Sequence, residues 1–475
     1  MRYVSTRGQA PAVSFTQAIM AGLAPDGGLY VPERYSSLAD AAPVFRHGHH
    51  SGAALAVLQA LKGDFSADDA GPAFLAYGGD PSAGENQPPW PPVVAPLVQL
   101  GPGAWALELF HGPSLSFKDV AMQWIARLYE QELSRTDDRL TVVCATSGDT
   151  GGAAVEAFKA TDRVDLFVLL PRGRVSDVQR RFMTASGAPN VFAVEVEGDF
   201  DACQALVKGL FSDAAFARGA KLSGVNSINW ARIMAQSVYF HVAAHALGGH
   251  GPVHFSVPTG NFGDAFSGYV AKRMGAPVGR IGLAVNANDI LARALSTGVY
   301  RRNDVSLATL SPAMDIQVAS NFERLLFEAL DRDGRQVAAL YGQFAETGGF
   351  EIPASALRAM REVFFACSTS DADTQAGMQA AAHGPRPYFV CPHTAVGIAG
   401  WRAADDLGPG ARVTLATAHP AKFPETVAQA TGRTPALPAH CADLFVRRET
   451  VYPIAADLAA VKQFIRERSR AWTPN

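Results

Sequence analysis

Lys118 closes the stretch Phe110-His111-Gly112-Pro113-Ser114-Leu115-Ser116-Phe117-Lys118, where a Gly-Pro turn and two hydroxyls precede the amine and Asp119 follows it. Downstream, Ala121, Trp124, Ile125, Leu128 and Tyr129 recur at helical spacing, so Lys118 opens an amphipathic helix buried on one side. The start of a helix carries positive partial charge, which disfavours an ammonium and lowers its pKa. A Schiff-base lysine needs that depression. The alternative is a surface lysine whose stem covers apolar neighbours while its charge stays in water.

A second group, Gly260-Asn261-Phe262-Gly263-Asp264, follows the apolar run His254-Phe255-Ser256-Val257 and precedes a helix reaching about Met274. Backbone N–H groups of such a turn converge above the helix N-terminus, an anion site suited to phosphate. The Asp264 carboxylate would repel that anion unless its side chain caps or turns away. A plain strand-to-helix turn, with glycine where φ must be positive, is the other reading.

Two further loops have the same strand-to-helix setting. Ser147-Gly148-Asp149-Thr150-Gly151 follows Leu140-Thr141-Val142-Val143-Cys144-Ala145 and offers amides and hydroxyls at a strand's carboxyl end, where open α/β sheets bind ligands. It lacks the spacing of a dinucleotide fingerprint and the Gly-Lys-Ser/Thr ending of a P-loop. That leaves a carboxylate-binding loop or a simple turn. In Leu415-Ala416-Thr417-Ala418-His419-Pro420-Ala421-Lys422-Phe423, the Thr417 hydroxyl faces a ligand or caps the helix begun by Pro420. Lys422 reads as solvated, with a phosphate-facing cation as the alternative.

The elements that must position these groups recur as β-loop-α units. Residues 164–170 and 191–196 read as buried strands, residues 176–185 and 201–211 as helices. The pattern restarts at residue 254, continues through strands at 281–285, 388–391 and 412–416, and leaves loops at 301–317 and 368–374. Strands alternating with helices imply mainly parallel sheets covered by helices, an α/β protein of two lobes. Its 475 residues allow roughly two to three domains. The loop-like stretch at 84–92 separates an N-terminal subdomain, residues 1–95, from a two-lobed region at 96–440, whose smaller lobe is about 118–225. Residues 441–475 read as a docking helix and a frayed tail.

Composition narrows the class. Hydrophobic residues are 48% and charged residues 18%, which supports a large core and excludes disorder. A net charge of −3 without basic runs excludes a nucleic-acid partner. The five cysteines, Cys144, Cys203, Cys367, Cys391 and Cys441, are odd in number, widely spaced and free of C-x-x-C pairs. That fits buried thiols in a reducing cytoplasm, with no metal site. Met1-Arg2-Tyr3-Val4-Ser5-Thr6-Arg7-Gly8 has no secretory pattern, and no apolar run approaches the roughly 18 residues of a membrane span.

Taken together and in this order, the pieces resemble the threonine synthases, pyridoxal-phosphate enzymes of the tryptophan-synthase-β fold type. The resemblance starts at residues 3–8 and at Asp26-Gly27-Gly28-Leu29-Tyr30-Val31-Pro32. It continues through residues 110–119 and 147–151, Asn226-Ser227-Ile228-Asn229-Trp230-Ala231-Arg232 and residues 260–264. It ends with His393-Thr394-Ala395 and residues 417–423. It implies that Lys118 carries the cofactor covalently and that Gly260, Asn261, Phe262, Gly263 and Asp264 cradle its phosphate. Thr417 meets the pyridine nitrogen, where other pyridoxal enzymes place an Asp. Ser147, Gly148, Asp149 and Thr150 meet the substrate carboxylate or the cofactor's phenolic oxygen. Ser227, Asn229 and Arg232, with Arg180 or Arg181, stand on the substrate side. Ser114 and Ser116 depart from the family's commoner Thr and Ala, and Ser311-Pro312-Ala313-Met314-Asp315-Ile316-Gln317 keeps only its Ala-Met-Asp core.

The implied reaction is γ-elimination of phosphate from O-phospho-L-homoserine and addition of water at Cβ, giving L-threonine, in a cytoplasmic monomer or homodimer. A serine or threonine dehydratase, or a phospho-amine lyase, would use the same lysine and cradle without a site for the substrate's phosphate. A nucleotide oxidoreductase lacks its glycine spacing here. A non-catalytic relative would not need Lys118, Asn261 and Thr417.

Overall fold

Residues 1–47, 49–78, 90–404 and 407–473 are described by a computed structural model. They form two compact units: Met1–Ala70 with Pro91–His111 and Ser227–Pro435, and Gly71–Trp90 with Gly112–Asn226 and Ala436–Asn475. Of the expected linker at 84–92, residues 84–89 lie outside the described residues, as do the last two positions of the expected tail. The helix Gly71–Tyr77, assigned on sequence grounds to the N-terminal subdomain, folds with the second unit. Tyr77 is the reason: its ring meets Trp124 edge-on at 6.0 Å, and its hydroxyl donates to the Val120 carbonyl at 2.8 Å.

In the second unit, five parallel strands run in the order Tyr452–Ile454, Val191–Val196, Val164–Pro171, Leu140–Ala145, Leu222–Ser223. All eight residues of Val164–Pro171 are buried, as expected of a central strand covered on both faces. Val143, Phe167, Leu169 and Val194 pack with Leu206 and Leu210 of the helix Phe200–Ser212. The expected C-terminal helix, Leu458–Arg468, adds Val461, Phe464 and Ile465 to that core. Truncating Ile465 to Ala would cost about 2–5 kcal/mol. The preceding strand Tyr452–Ile454 was not legible in the sequence, being three residues at a sheet edge.

The first unit holds a six-stranded sheet in the order Phe364–Ser368, Val278–Val285, Val253–Pro258, Arg412–Ala416, Ala104–Glu108, Leu97–Gly101. It is parallel except for the antiparallel edge strand Leu97–Gly101. The N-terminal segment adds a small antiparallel sheet of Arg2–Ser5 between Val13–Ser14 and Tyr30–Pro32. Two expectations need correction. Residues 388–391 form no strand, because Cys391 instead caps the helix Pro392–Ala399 through its sulfur. The expected loop at 368–374 is mostly regular structure: Ser368 ends the strand Phe364–Ser368, and the helix Asp371–His383 begins after Ser370, whose hydroxyl accepts from Asp373 N–H.

Among the described residues no disulfide forms, and four of the five cysteines are buried. Among the described residues, no helix is long and apolar enough to cross a membrane.

Candidate active site

Lys118 lies in the second unit at the first position of the helix Lys118–Thr136, with only 9% of its surface exposed. The snorkelling reading therefore fails. The loop before it is held from the next residue: Asp119, fully buried, accepts from the backbone N–H groups of Ser114 (2.9 Å) and Ser116 (3.2 Å) and from the Ser114 hydroxyl (2.7 Å). The departure at Ser114 thus keeps a hydroxyl that the loop uses. Leu115 takes a left-handed φ of 63° and packs against Val178, Phe182, Cys441 and Leu444. A non-glycine residue there is strained, and burial of its side chain holds it in place.

The second loop converges on the same amine. Gly148, at φ 142°, ends the strand-to-helix turn, and the helix Asp149–Phe158 begins directly after it. That φ favours glycine, and a Cβ there would also displace the Gln179 amide, 2.5 Å away at Cδ. Thr146 Oγ1 accepts from the N–H groups of Gly148 and Gly151, each at 2.9 Å. Ser147 and Thr150 are half-buried, whereas Asp149 is buried. Its Oδ2 lies 3.4 Å from Lys118 Nζ, and its Oδ1 accepts from Gln179 Nε2 at 2.8 Å. Lys118 Nζ also stands 4.5 Å from the centre of the Phe117 ring. Arg180 is committed elsewhere, to Glu195 (2.9 Å) and Glu449, and Arg181 donates to the Arg447 carbonyl at 3.1 Å.

In the first unit, Gly260 and Asn261 form the turn after Val253–Pro258, and the helix Gly263–Arg273 starts from Phe262. The left-handed residue is Phe262, φ 64°, rather than either glycine. The glycines serve close approach instead: a Cβ on Gly260 would lie 3.0 Å from the Ala313 carbonyl oxygen, and one on Gly263 would lie 3.2 Å from Asn321 Nδ2. Asp264 turns its Oδ1 to the hydroxyl of Tyr239, on the helix Trp230–Leu247, which donates to it. That directs at least one carboxylate oxygen to a donor while the helix N-terminus keeps its positive end. The retained Ala-Met-Asp core packs here, because Ala313 and Met314 border Gly260.

Thr417 follows the strand Arg412–Ala416 and is buried. Its N–H donates to Thr394 Oγ1 at 3.3 Å. The cap that Thr417 could have supplied comes from His419, whose Nδ1 accepts from Ala421 N–H at 3.1 Å. Lys422, expected in solvent, is fully buried in the short helix Pro420–Lys422. The carbonyl of Ser227 accepts from Asn321 Nδ2 at 3.1 Å. Asn229 caps Trp230–Leu247 through Ala231 N–H at 2.9 Å and donates to the Ile19 carbonyl at 2.8 Å. Arg232, buried, lies in the first turn of that helix.

Thr146, Gln179, Tyr239 and Asn321 were not singled out by sequence reasoning. Each is an ordinary polar residue within or beside a regular element, and only its partner gives it meaning.

Comparison with known proteins shows the family. The family descriptions Threonine synthase N terminus, Pyridoxal-phosphate dependent enzyme and Threonine synthase, C-terminal match residues 2–70, 93–417 and 394–465. A threonine synthase of Pseudomonas aeruginosa is 44% identical over 100% of both chains. One from Saccharomyces cerevisiae is 38% identical over 90% of this chain and 88% of its own. The crystal structure of a pyridoxal-phosphate-bound threonine synthase from Brucella melitensis, 47% identical, covers 99% of this chain and 100% of its own with a TM-score of 0.93. By full-length similarity and fold alike, this chain belongs to the threonine synthase family of pyridoxal-phosphate-dependent enzymes.

Proposed function

We propose that the chain converts O-phospho-L-homoserine and water into L-threonine and phosphate. The observation that carries the reading is Lys118, a buried amine at a helix start with a carboxylate 3.4 Å away, in a chain of this family.

The residues present fit the cofactor. The turn at 260–264 lacks side chains at Gly260 and Gly263, where a Cβ would crowd its neighbours, and opens a helix, so its N–H groups are available to a phosphate. Asp264 has a donor in Tyr239. When bound, pyridoxal phosphate supplies an aldehyde for covalent attachment and a ring that takes up electron pairs from substrate carbons. Lys118 is the attachment point, and its Nζ takes and returns protons at the substrate's adjacent carbons. Asp149, anchored by Gln179, stabilises the amine each time it holds a proton. Gly260, Asn261, Phe262, Gly263 and Asp264 hold the cofactor phosphate. The neutral Thr417 hydroxyl meets the ring nitrogen without imposing a charge on it.

Ser147, Gly148 and Thr150 hold the substrate carboxylate with hydroxyls and N–H groups. Ser227 and Arg232 flank the substrate, and Asn229 sets the helix start from which Arg232 projects. The enzyme acts in the cytoplasm, as a monomer or homodimer, on small molecules rather than nucleic acid.

The test is a product assay on cofactor-loaded protein with phosphohomoserine, serine, threonine and phosphoethanolamine, scoring phosphate against ammonia. Threonine and phosphate from phosphohomoserine are expected. Faster ammonia release from serine or threonine would replace the proposal with a dehydratase.

A further inference from the structure

The N-terminal signature at residues 3–8 has no part in the chemistry above, yet it is tied into the first unit by buried polar bonds. Thr6, fully buried, donates to Glu323 Oε1 at 2.6 Å and accepts the Leu29 N–H at 2.8 Å. Arg7 grips both oxygens of the same carboxylate, with Nε and Nη2 each at 3.1 Å. Arg324 follows Glu323 in the helix Phe322–Ala329 and is fully buried beside the Trp230 ring. Its guanidinium donates to the Tyr30 carbonyl (3.1 and 3.0 Å), to the Ile228 carbonyl (2.6 Å) and to Asn321 Oδ1.

Asn321 carries the connection to the phosphate turn. Its Nδ2 donates to the carbonyls of Asn261 and Ser227, both at 3.1 Å, and its backbone N–H donates to Asn261 O at 3.0 Å. Ser320 adds a bond from its hydroxyl to Asn261 Oδ1 at 3.2 Å. One set of bonds thus ties Thr6 and Arg7 to Glu323, a second runs from Arg324 through Asn321 to Asn261, and the backbone of the helix Phe322–Ala329 joins the two. Buried and charge-assisted, such a network sets geometry more firmly than isolated surface bonds. Phe262, next to Asn261, is held in the left-handed region, a conformation that persists only when its surroundings impose it.

We infer that the N-terminal signature is a positioning device: Thr6 and Arg7, acting through Glu323, Arg324 and Asn321, hold the 260–264 turn in its anion-binding shape. This rests on the reading of that turn as the holder of the cofactor phosphate.

The experiment measures cofactor release from the holoenzyme into a scavenger, with the phosphorus resonance of the bound cofactor, for Thr6→Val, Asn321→Ala and the double variant. Each single variant is expected to release cofactor about tenfold faster, as loss of buried bonds in a charged network predicts. The double variant should fall short of the product of the two effects, while kcat at saturating cofactor stays within about twofold. Arg324→Lys keeps the charge but loses the guanidinium fork, and serves if Asn321→Ala does not fold; the same loss is expected. Gly260→Ala, which crowds the turn directly, is the control. If it speeds release while Thr6→Val and Arg324→Lys do not, or if the effects multiply independently, the positioning role is overturned. If Gly260→Ala leaves release and resonance unchanged, the phosphate assignment itself fails.

Discussion

Lys118 Nζ lies 3.4 Å from Asp149 Oδ2, and the other oxygen of that carboxylate accepts from Gln179 Nε2 at 2.8 Å. The lysine is thus anchored through a carboxylate that is itself anchored. Asp149→Asn keeps the shape and removes the charge. A hydrogen bond to a charged group is worth about 1.5–3 kcal/mol, so kcat/KM should fall roughly 10- to 100-fold with the cofactor still bound. Steady-state kinetics alongside the visible spectrum check this, and an unchanged kcat/KM would remove Asp149 from the lysine's support.

Lys118→Ala should abolish turnover and the visible absorbance that attachment of the cofactor produces. The helix itself should survive, because alanine is the better helix former. Far-ultraviolet circular dichroism and the absorbance spectrum suffice. Normal activity in this variant would disprove the assignment.

Tyr239 donates to Asp264 in the proposed phosphate turn. In Tyr239→Phe that carboxylate loses the donor and presents more of its charge to the anion. Cofactor affinity should weaken by about tenfold or more. Titrating cofactor-free protein with pyridoxal phosphate, followed by fluorescence, measures it. An unaltered dissociation constant would mean that Asp264 needs no such partner.

His50 and His241 are buried in the first unit, His241 stacked on Phe45 at 4.6 Å, and burial pushes both pKa values down to about 3. The unfolded chain binds protons at these sites below about pH 6.5, while the folded chain does so only near pH 3. Their contribution to stability is therefore complete above pH 6.5 and lost as pH falls from there towards 3. At pH 5 each histidine costs about 2 kcal/mol. Urea unfolding at pH 7.5 and pH 5 should show the loss, and His241→Phe, which keeps the stack, should reduce it. An identical pH dependence in that variant would clear His241.

Much of the fold was open to reading. Val164–Pro171 and Val253–Pro258 are apolar runs bounded by turn residues, and their boundaries fall within a residue or so of expectation. The strand-to-helix turns before Asp149–Phe158 and Gly263–Arg273 were legible too, since glycine between a strand and a helix is a local sign. Errors came where neighbours decide. Residues 388–391 are apolar enough for a strand, but Cys391 was taken by the following helix as its cap. Lys422 was expected in water from its charge, and packing buried it. The positive φ expected at a glycine fell on Phe262.

Residue order alone established an α/β chain with parallel sheets, a lysine opening a helix and a glycine-bearing turn between a strand and a helix. Hydrophobic period and the steric freedom of glycine act over a few residues and need no partner. Folding in three dimensions decided which polar groups meet: Asp149 with Lys118 across 31 positions, Tyr239 with Asp264 across 25, and Thr6 with Glu323 across 317. Such pairings depend on how packed helices and strands line up, and no local pattern encodes that alignment.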